Sequence, residues 1–123
     1  MKISVLCFDL SSNAFGRAWL LAKALSSVYD VEIIGTSRTG GIWVPMDHSE
    51  IPVKEFTWDR YPKFSRIKKN ILDAIDGDII LASKLMPTSF GIGLQKKKTS
   101  GKPLIVDIDD WELGFFYHSG FWG

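Results

Sequence analysis

Short apolar runs alternate along the chain with longer stretches in which apolar residues recur every three or four positions. A short apolar run is typical of a strand covered on both faces, and the wider spacing is typical of an amphipathic helix. The predicted strands are residues 3–10, 31–35, 53–56, 78–82 and 103–108. The predicted helices are residues 17–25, 64–75 and 87–94, of which the third is the weakest because it contains Gly91 and Gly93.

This order of elements predicts an α/β domain, a doubly wound parallel sheet with helices on both faces, in three layers. A chain of 123 residues has room for one such domain and not for a second. We assign residues 1–110 to the domain. We expect residues 111–123 to begin a truncated continuation, because the aromatic side chains there have no later element to cover them.

The composition is that of an ordinary globular protein, with 46% hydrophobic and 24% charged residues. The formal net charge of +1 predicts no extended positive potential that would attract nucleic acid or an anionic membrane. The basic cluster at residues 96–98 is local. The apolar run at the N-terminus is cut short by Asp9, unlike a signal peptide or a membrane span. With Cys7 as the only cysteine, we expect a soluble, cytoplasmic protein.

Acidic residues collect where the last predicted strand ends. Asp107, Asp109 and Asp110 lie there, with Glu112 close behind. In parallel sheets ligands bind at the carboxyl ends of the strands. If the chain stays extended, Asp107 and Asp109 point to the same side roughly 6 to 7 Å apart, which suits a cation or the adjacent hydroxyls of a sugar. The alternative is structural: these carboxylates solvate a following helix, and Asp107 pairs with a lysine such as Lys84.

The loop at residues 11–17 follows the first predicted strand and leads into the first helix. The N–H groups at such a helix start favour a phosphate or a carboxylate. The dinucleotide fingerprint G-x-G-x-x-G is absent, because the loop contains only Gly16, so we predict no bound NAD or FAD and no other cofactor. The alternative is an ordinary capped helix.

The aromatic and histidine residues support no separate site. Trp43, Trp58 and Tyr61 could stack on a sugar, but aromatic residues in a long connection more often hold that loop on the sheet. His48 and His118 have no second ligand at metal-binding spacing, so we predict no metal site.

Residues 104–109 form an apolar strand followed by D-x-D, which is similar to the first motif of haloacid-dehalogenase-like phosphatases. In that family one aspartate is the nucleophile and the other is the general acid and base. The motif usually lies on the first strand, with a serine or threonine, a lysine and further aspartates downstream. Here only about a dozen residues follow it, so this phosphatase is the weaker alternative.

Four segments carry a stronger resemblance: the opening Met1-Lys2-Ile3-Ser4-Val5-Leu6, the stretch from Gly16-Arg17 to Ala22, the strand Gly77 to Ala82, and the stretch Pro103 to Asp110. Together they resemble the N-terminal domain of a GT-B glycosyltransferase, more narrowly of family 4. The resemblance implies the N-terminal, Rossmann-like half of an enzyme that transfers a sugar from a nucleotide-sugar donor to a sugar or lipid-linked acceptor.

In that family the loop after the first strand and the end of the fifth strand face the cleft between two domains. The resemblance therefore places Asn13, Gly16, Arg17, Asp107 and Asp110 in the substrate-binding set, and Asp109 as the catalytic residue. Many members have a histidine six residues after the proline, where this sequence has Asp109.

The C-terminal domain that holds the nucleotide-sugar in this family has no counterpart in these 123 residues. The chain alone is therefore expected to be inactive. The second hypothesis is a non-catalytic module that binds a carbohydrate or a partner protein. Peripheral contact with a membrane and dimer formation stay open, as do the donor, the acceptor and the linkage.

Overall fold

The computed structural model describes residues 1–38 and 51–108. Its strands are β1 (Lys2–Cys7), β2 (Asp30–Ser37), β3 (Val53–Thr57), β4 (Ile79–Ser83) and β5 (Leu104–Asp107). Its α-helices are α1 (Ala14–Leu25), α2 (Lys63–Ala74) and α3 (Ile92–Ser100), and a π-helical turn at Pro87–Gly91 leads into α3. All five predicted strands and all three predicted helices are present, with shifts at their ends.

The five strands form one parallel sheet in the order β3-β2-β1-β4-β5. The chain starts in the middle at β1, moves outward through β2 and β3, and crosses back through α2 to β4 and β5. The prediction of a doubly wound parallel sheet is confirmed, and the fold is α/β and Rossmann-like with three layers. In such a fold the crevice at the carboxyl ends of the strands lies where the order reverses, here between β1 and β4.

Two apolar cores lie on opposite faces of the sheet because successive strand residues point to opposite sides. Val5 and Cys7 of β1 belong to the core under α1, which is completed by Phe15 of that helix. Leu6 of the same strand belongs to the core under α2 and α3. The buried residues of this second core are Leu6, Ile34, Ile71, Ile75, Ile80 and Ile92.

The helix α3 is longer and begins later than the sequence predicts, since it extends to Ser100. Gly93, which argued against a helix there, is buried against the sheet. A Cβ atom at this position would lie 2.9 Å from Leu104 Cδ1 and 3.3 Å from Leu6 Cδ1. The glycine therefore lets α3 lie close to β5 and β1, a tertiary reason that outweighs its low helix propensity.

A polar cluster surrounds the buried carboxylate of Glu32 on the α2 side of β2. We call Glu32, Lys2, Lys54, Asp76 and Ser4 the Glu32 cluster. Glu32 is 2% exposed, and its Oε2 atom lies 2.8 Å from Lys54 Nζ and 3.4 Å from Lys2 Nζ. The Ser4 hydroxyl donates to Glu32 Oε1 at 2.8 Å. Side-chain hydrogen bonds with Glu32 and Lys2 lower the pKa of Asp76 to about 2. The cluster joins β1, β2 and β3 to the chain that leaves α2.

None of the helices in the described part of the chain has the length and hydropathy of a membrane-spanning segment.

The thiol of Cys7 is fully buried in the core under α1, and burial raises its pKa to about 12. Because the thiolate is the reactive species, we expect alkylation by iodoacetamide at mildly alkaline pH to be at least about 100-fold slower in the folded protein than in urea. Mass spectrometry of time points gives both rates. Alkylation of the folded protein at the rate of the unfolded chain would contradict this prediction.

Candidate functional site

The loop that follows β1 crosses the carboxyl edge of the sheet. Hydrogen bonds join it to β2 and to the π-helical turn before α3. The carbonyl of Phe8 accepts from Thr36 Oγ1 at 3.0 Å and from Thr88 Oγ1 at 2.8 Å. The N–H of Leu10 donates to the carbonyl of Thr36 at 2.7 Å. The loop is thus bonded both to β2 and to the π-helical turn, which gives the edge between them a defined shape.

The start of α1 is capped locally by the chain that precedes it. Ser12 Oγ accepts from the N–H of Ala14 at 3.3 Å, and the Ser12 carbonyl accepts from Phe15 at 3.1 Å. Asn13 is exposed and makes no side-chain cap, while Gly16 is buried and its N–H donates to the Asn13 carbonyl at 3.0 Å. These contacts match the capped-helix alternative, and the prediction of an anion at this position stays a prediction.

Arg17 and Asp107 form a two-fold charged hydrogen bond across the site. Arg17 Nε donates to Asp107 Oδ2 at 2.9 Å, and Nη2 donates to Oδ1 at 2.9 Å. The side chains are 40% and 17% exposed. This parallel geometry fixes the direction of both groups. Two residues predicted for the site are therefore brought together although 90 positions separate them in sequence.

The partner of Asp107 differs from the one that the structural alternative named. The ion pair that the structure shows is with Arg17, and Lys84 contributes its backbone N–H, which donates to the Asp107 carbonyl at 2.8 Å. Lys84 has a φ of 73°, in the left-handed region that non-glycine residues seldom adopt. Because Arg17 holds both carboxylate oxygens of Asp107, this carboxylate is poorly placed to act as a phosphatase nucleophile.

Ser83, the last residue of β4, has a buried hydroxyl group beside this ion pair. Its register partners are Cys7 of β1 and Asp107 of β5. Ser83 is 2% exposed, and its Oγ has no hydrogen-bond partner among the described residues. Most buried hydroxyl groups have a hydrogen-bond partner, so Ser83 is one of the exceptions within the described part of the chain. Nothing in the sequence indicated that the Ser83 hydroxyl would have no partner among the described residues.

Several predicted residues lie outside the described residues. These are Asp109, Asp110, Glu112, Trp43, His48 and His118. Of the other aromatic candidates, Trp58 lies under the guanidinium of Arg38, with 5.1 Å from Cζ to the ring centroid. Tyr61 is 83% exposed. Trp58 thus contacts a residue at the end of β2, and both stacking on a sugar and holding the loop on the sheet stay predictions.

The described residues contain no group of three or more histidine, cysteine or acidic side chains arranged to hold a metal ion. Comparison of the whole sequence with known proteins found no protein-family model and no curated protein that matches it.

Proposed function

We propose that the chain is the acceptor-side domain of a GT-B glycosyltransferase, which transfers a sugar from a nucleotide-sugar to an acceptor. The observation that carries the proposal is the Arg17–Asp107 pair at the carboxyl edge, beside the Ser83 hydroxyl, which has no hydrogen-bond partner among the described residues. The doubly wound sheet supports it, because such sheets bind ligands at this edge.

In this proposal the described residues orient a ligand and the reacting group comes next in the chain. Arg17 fixes Asp107, which gives the end of β5 a defined direction. Asp109 follows two residues later and would act on the acceptor hydroxyl as a general base or on the developing charge of the sugar. The Ser83 hydroxyl would bond to a ligand hydroxyl and so gain a partner that the described residues do not supply.

One observation favours a non-catalytic binding module as the second candidate. Asp107 is the described acidic residue of the proposed site, and both of its oxygens accept from Arg17. A paired carboxylate is suited to binding a sugar and not to moving a proton. The two candidates differ in whether Asp109 acts chemically.

The test uses the protein encoded by the complete reading frame. We expect that Asp109→Asn lowers kcat by about 100-fold or more, the usual contribution of a general acid or base, with the KM for the nucleotide-sugar changed by less than about threefold. Release of the nucleoside diphosphate is measured with a panel of donors and acceptors. The matched control is Asp30→Asn, an exposed carboxylate at the opposite end of the sheet, which should leave both constants unchanged.

Three results would overturn the proposal. One is a reading frame that adds no second nucleotide-binding domain. Another is the absence of sugar transfer or donor hydrolysis across the panel. A third is an Asp109→Asn defect confined to donor affinity, which would remove the catalytic assignment. Binding of acceptor sugars by a protein without any turnover would favour the non-catalytic module.

A further inference from the structure

The charges of the chain are unevenly distributed among the three layers. The helices α2 and α3 cover the same face of the sheet. Their basic residues are Lys63, Arg66, Lys68, Lys69, Lys96, Lys97 and Lys98, and their single acidic residue is Asp73. Although the net charge of the whole chain is only +1, the layer formed by α2 and α3 is strongly basic. The lysine cluster at residues 96–98, which was predicted to be local, is one part of this layer.

Five of these side chains point to solvent, and we call them the basic face: Lys63, Arg66, Lys69, Lys97 and Lys98. The three residues on α2 follow one another at intervals of three, which places them on one side of the helix. The two helices are held together where Lys96 Nζ donates to the Leu72 carbonyl at 2.8 Å. This contact keeps the lysines of α3 next to α2.

Two acidic residues near the basic face, Glu32 and Asp76, already form ion pairs with other lysines. Glu32 is buried between Lys2 and Lys54, and Asp76 lies 2.9 Å from Lys2 Nζ. Neither can neutralise the exposed lysines without leaving its own partners. Asp73 is the single acidic residue on α2 and α3, so the basic face carries an excess of positive charge.

An exposed aromatic residue borders the basic face. Tyr61 is 83% exposed and directly precedes Pro62 and α2. Next to it, an open recess of about 510 Å³ is lined by Pro62, Lys63, Arg66 and Ile67, mostly with apolar surface. Tyrosine side chains next to cationic ones are typical of surfaces that contact the headgroup region of a bilayer.

The composition of the face distinguishes between anionic partners. Four of its five cationic residues are lysines, which act as point charges and do not read the fixed geometry of nucleic-acid bases. The apolar side of α2 is occupied by Ile71 and by Ile67 against the sheet, so the helix would lie on a surface without inserting. A group of exposed lysines with a flanking tyrosine suits a lipid surface better than a nucleic-acid groove.

We propose that the basic face binds the surface of a phospholipid bilayer that contains anionic lipids. The attraction is electrostatic, with Tyr61 and the recess beside it meeting the headgroups. Binding holds the carboxyl edge of the sheet near the bilayer at the end where α2 begins. The inference rests on charge and exposure alone and does not depend on the proposed glycosyltransferase activity.

The experiment is sedimentation of the 123-residue chain with vesicles. We expect binding to vesicles of phosphatidylserine and phosphatidylcholine, little binding to phosphatidylcholine alone, and loss of binding at about 0.5 M NaCl because salt screens the charges. Each basic residue near an anionic surface accounts for about fivefold in partition, so Lys63→Gln with Arg66→Gln should weaken binding about 30-fold. Lys23→Gln, an exposed lysine on α1 on the opposite face, is the matched control and should bind like the original chain.

The controls separate this proposal from loss of folding and from other partners. Circular dichroism checks that the double variant melts at the temperature of the original chain, since both side chains are exposed. The proposal is overturned if the two kinds of vesicle bind equally, if neither binds, or if Lys23→Gln weakens binding as much as the double variant. Tighter binding to duplex DNA than to anionic vesicles at the same salt concentration would also overturn it.

Discussion

Replacing Lys54 with methionine is expected to lower the free energy of unfolding by about 3 kcal/mol, because it leaves a buried carboxylate with too few partners. Lys54 Nζ lies 2.8 Å from Glu32 Oε2 and also donates to the Ala74 carbonyl at 2.8 Å. Methionine keeps the length of the side chain but removes both interactions. Because the Lys54 side chain is 36% exposed, water can reach part of the cluster, which places the loss at the lower end of the usual range.

Urea unfolding followed by circular dichroism measures this loss. The matched control is Lys98→Met on the exposed side of α3, which should change stability by less than about 0.5 kcal/mol. Adding Glu32→Leu to Lys54→Met should restore part of the stability, because removing both charges leaves no unpaired carboxylate. If the double variant is instead less stable than Lys54→Met alone, the ion pair is not the source of the effect.

Replacing Gly35 with alanine should destabilise the fold by about 3 kcal/mol or more, because the added methyl group has no room. Gly35 of β2 is paired with Cys7 of β1. Its Cβ would overlap the Cys7 carbonyl oxygen and lie 3.1 Å from Leu10 Cγ. The carbonyl belongs to the backbone of the central strand, so relief requires the two strands to separate or the loop with Leu10 to move.

Gly91→Ala is the control for the glycine prediction. Gly91 has helical φ and ψ angles, and a Cβ there meets nothing within 4 Å. Alanine should therefore stabilise the protein by about 0.5 to 1 kcal/mol, because it restricts the unfolded chain more than glycine does. Equal urea midpoints for the two variants would show that the close approach at Gly35 is relieved without loss of stability.

The strands were predictable because a parallel strand with helices on both faces is apolar on both sides and appears as a continuous run. Helix α3 was predicted less well, since the fit of Gly93 against Leu104 is decided by packing and not by local propensity. The π-helical turn before it was not predicted for the same reason. Its Thr88 bonds to the Phe8 carbonyl, a contact between residues 80 positions apart.

The location of the candidate site could be predicted from the sequence, but the contacts within it could be predicted only in part. The sequence indicated the carboxyl edge and named both Arg17 and Asp107, but it suggested a lysine as the partner of Asp107. A pair separated by 90 positions depends on how the first turn of α1 lies relative to the end of β5, which no local pattern encodes. The sequence did not predict the burial of Glu32 in an ion pair either. Glu32 lies within the apolar run of β2, and its partner Lys54 is on β3, the neighbouring strand of the sheet.

The order of the strands also fixes when each part of the sheet can form as the chain is synthesised. The first strand made, β1, is the central one, and its two neighbours are residues 30–35 and residues 79–83. One edge of β1 can pair as soon as β2 emerges, while the other edge has no strand to pair with until β4 has been made. The ion pair between Arg17 and Asp107 can form only later, after β5 has been synthesised. The carboxyl edge is therefore among the last parts of the domain to be completed on the ribosome.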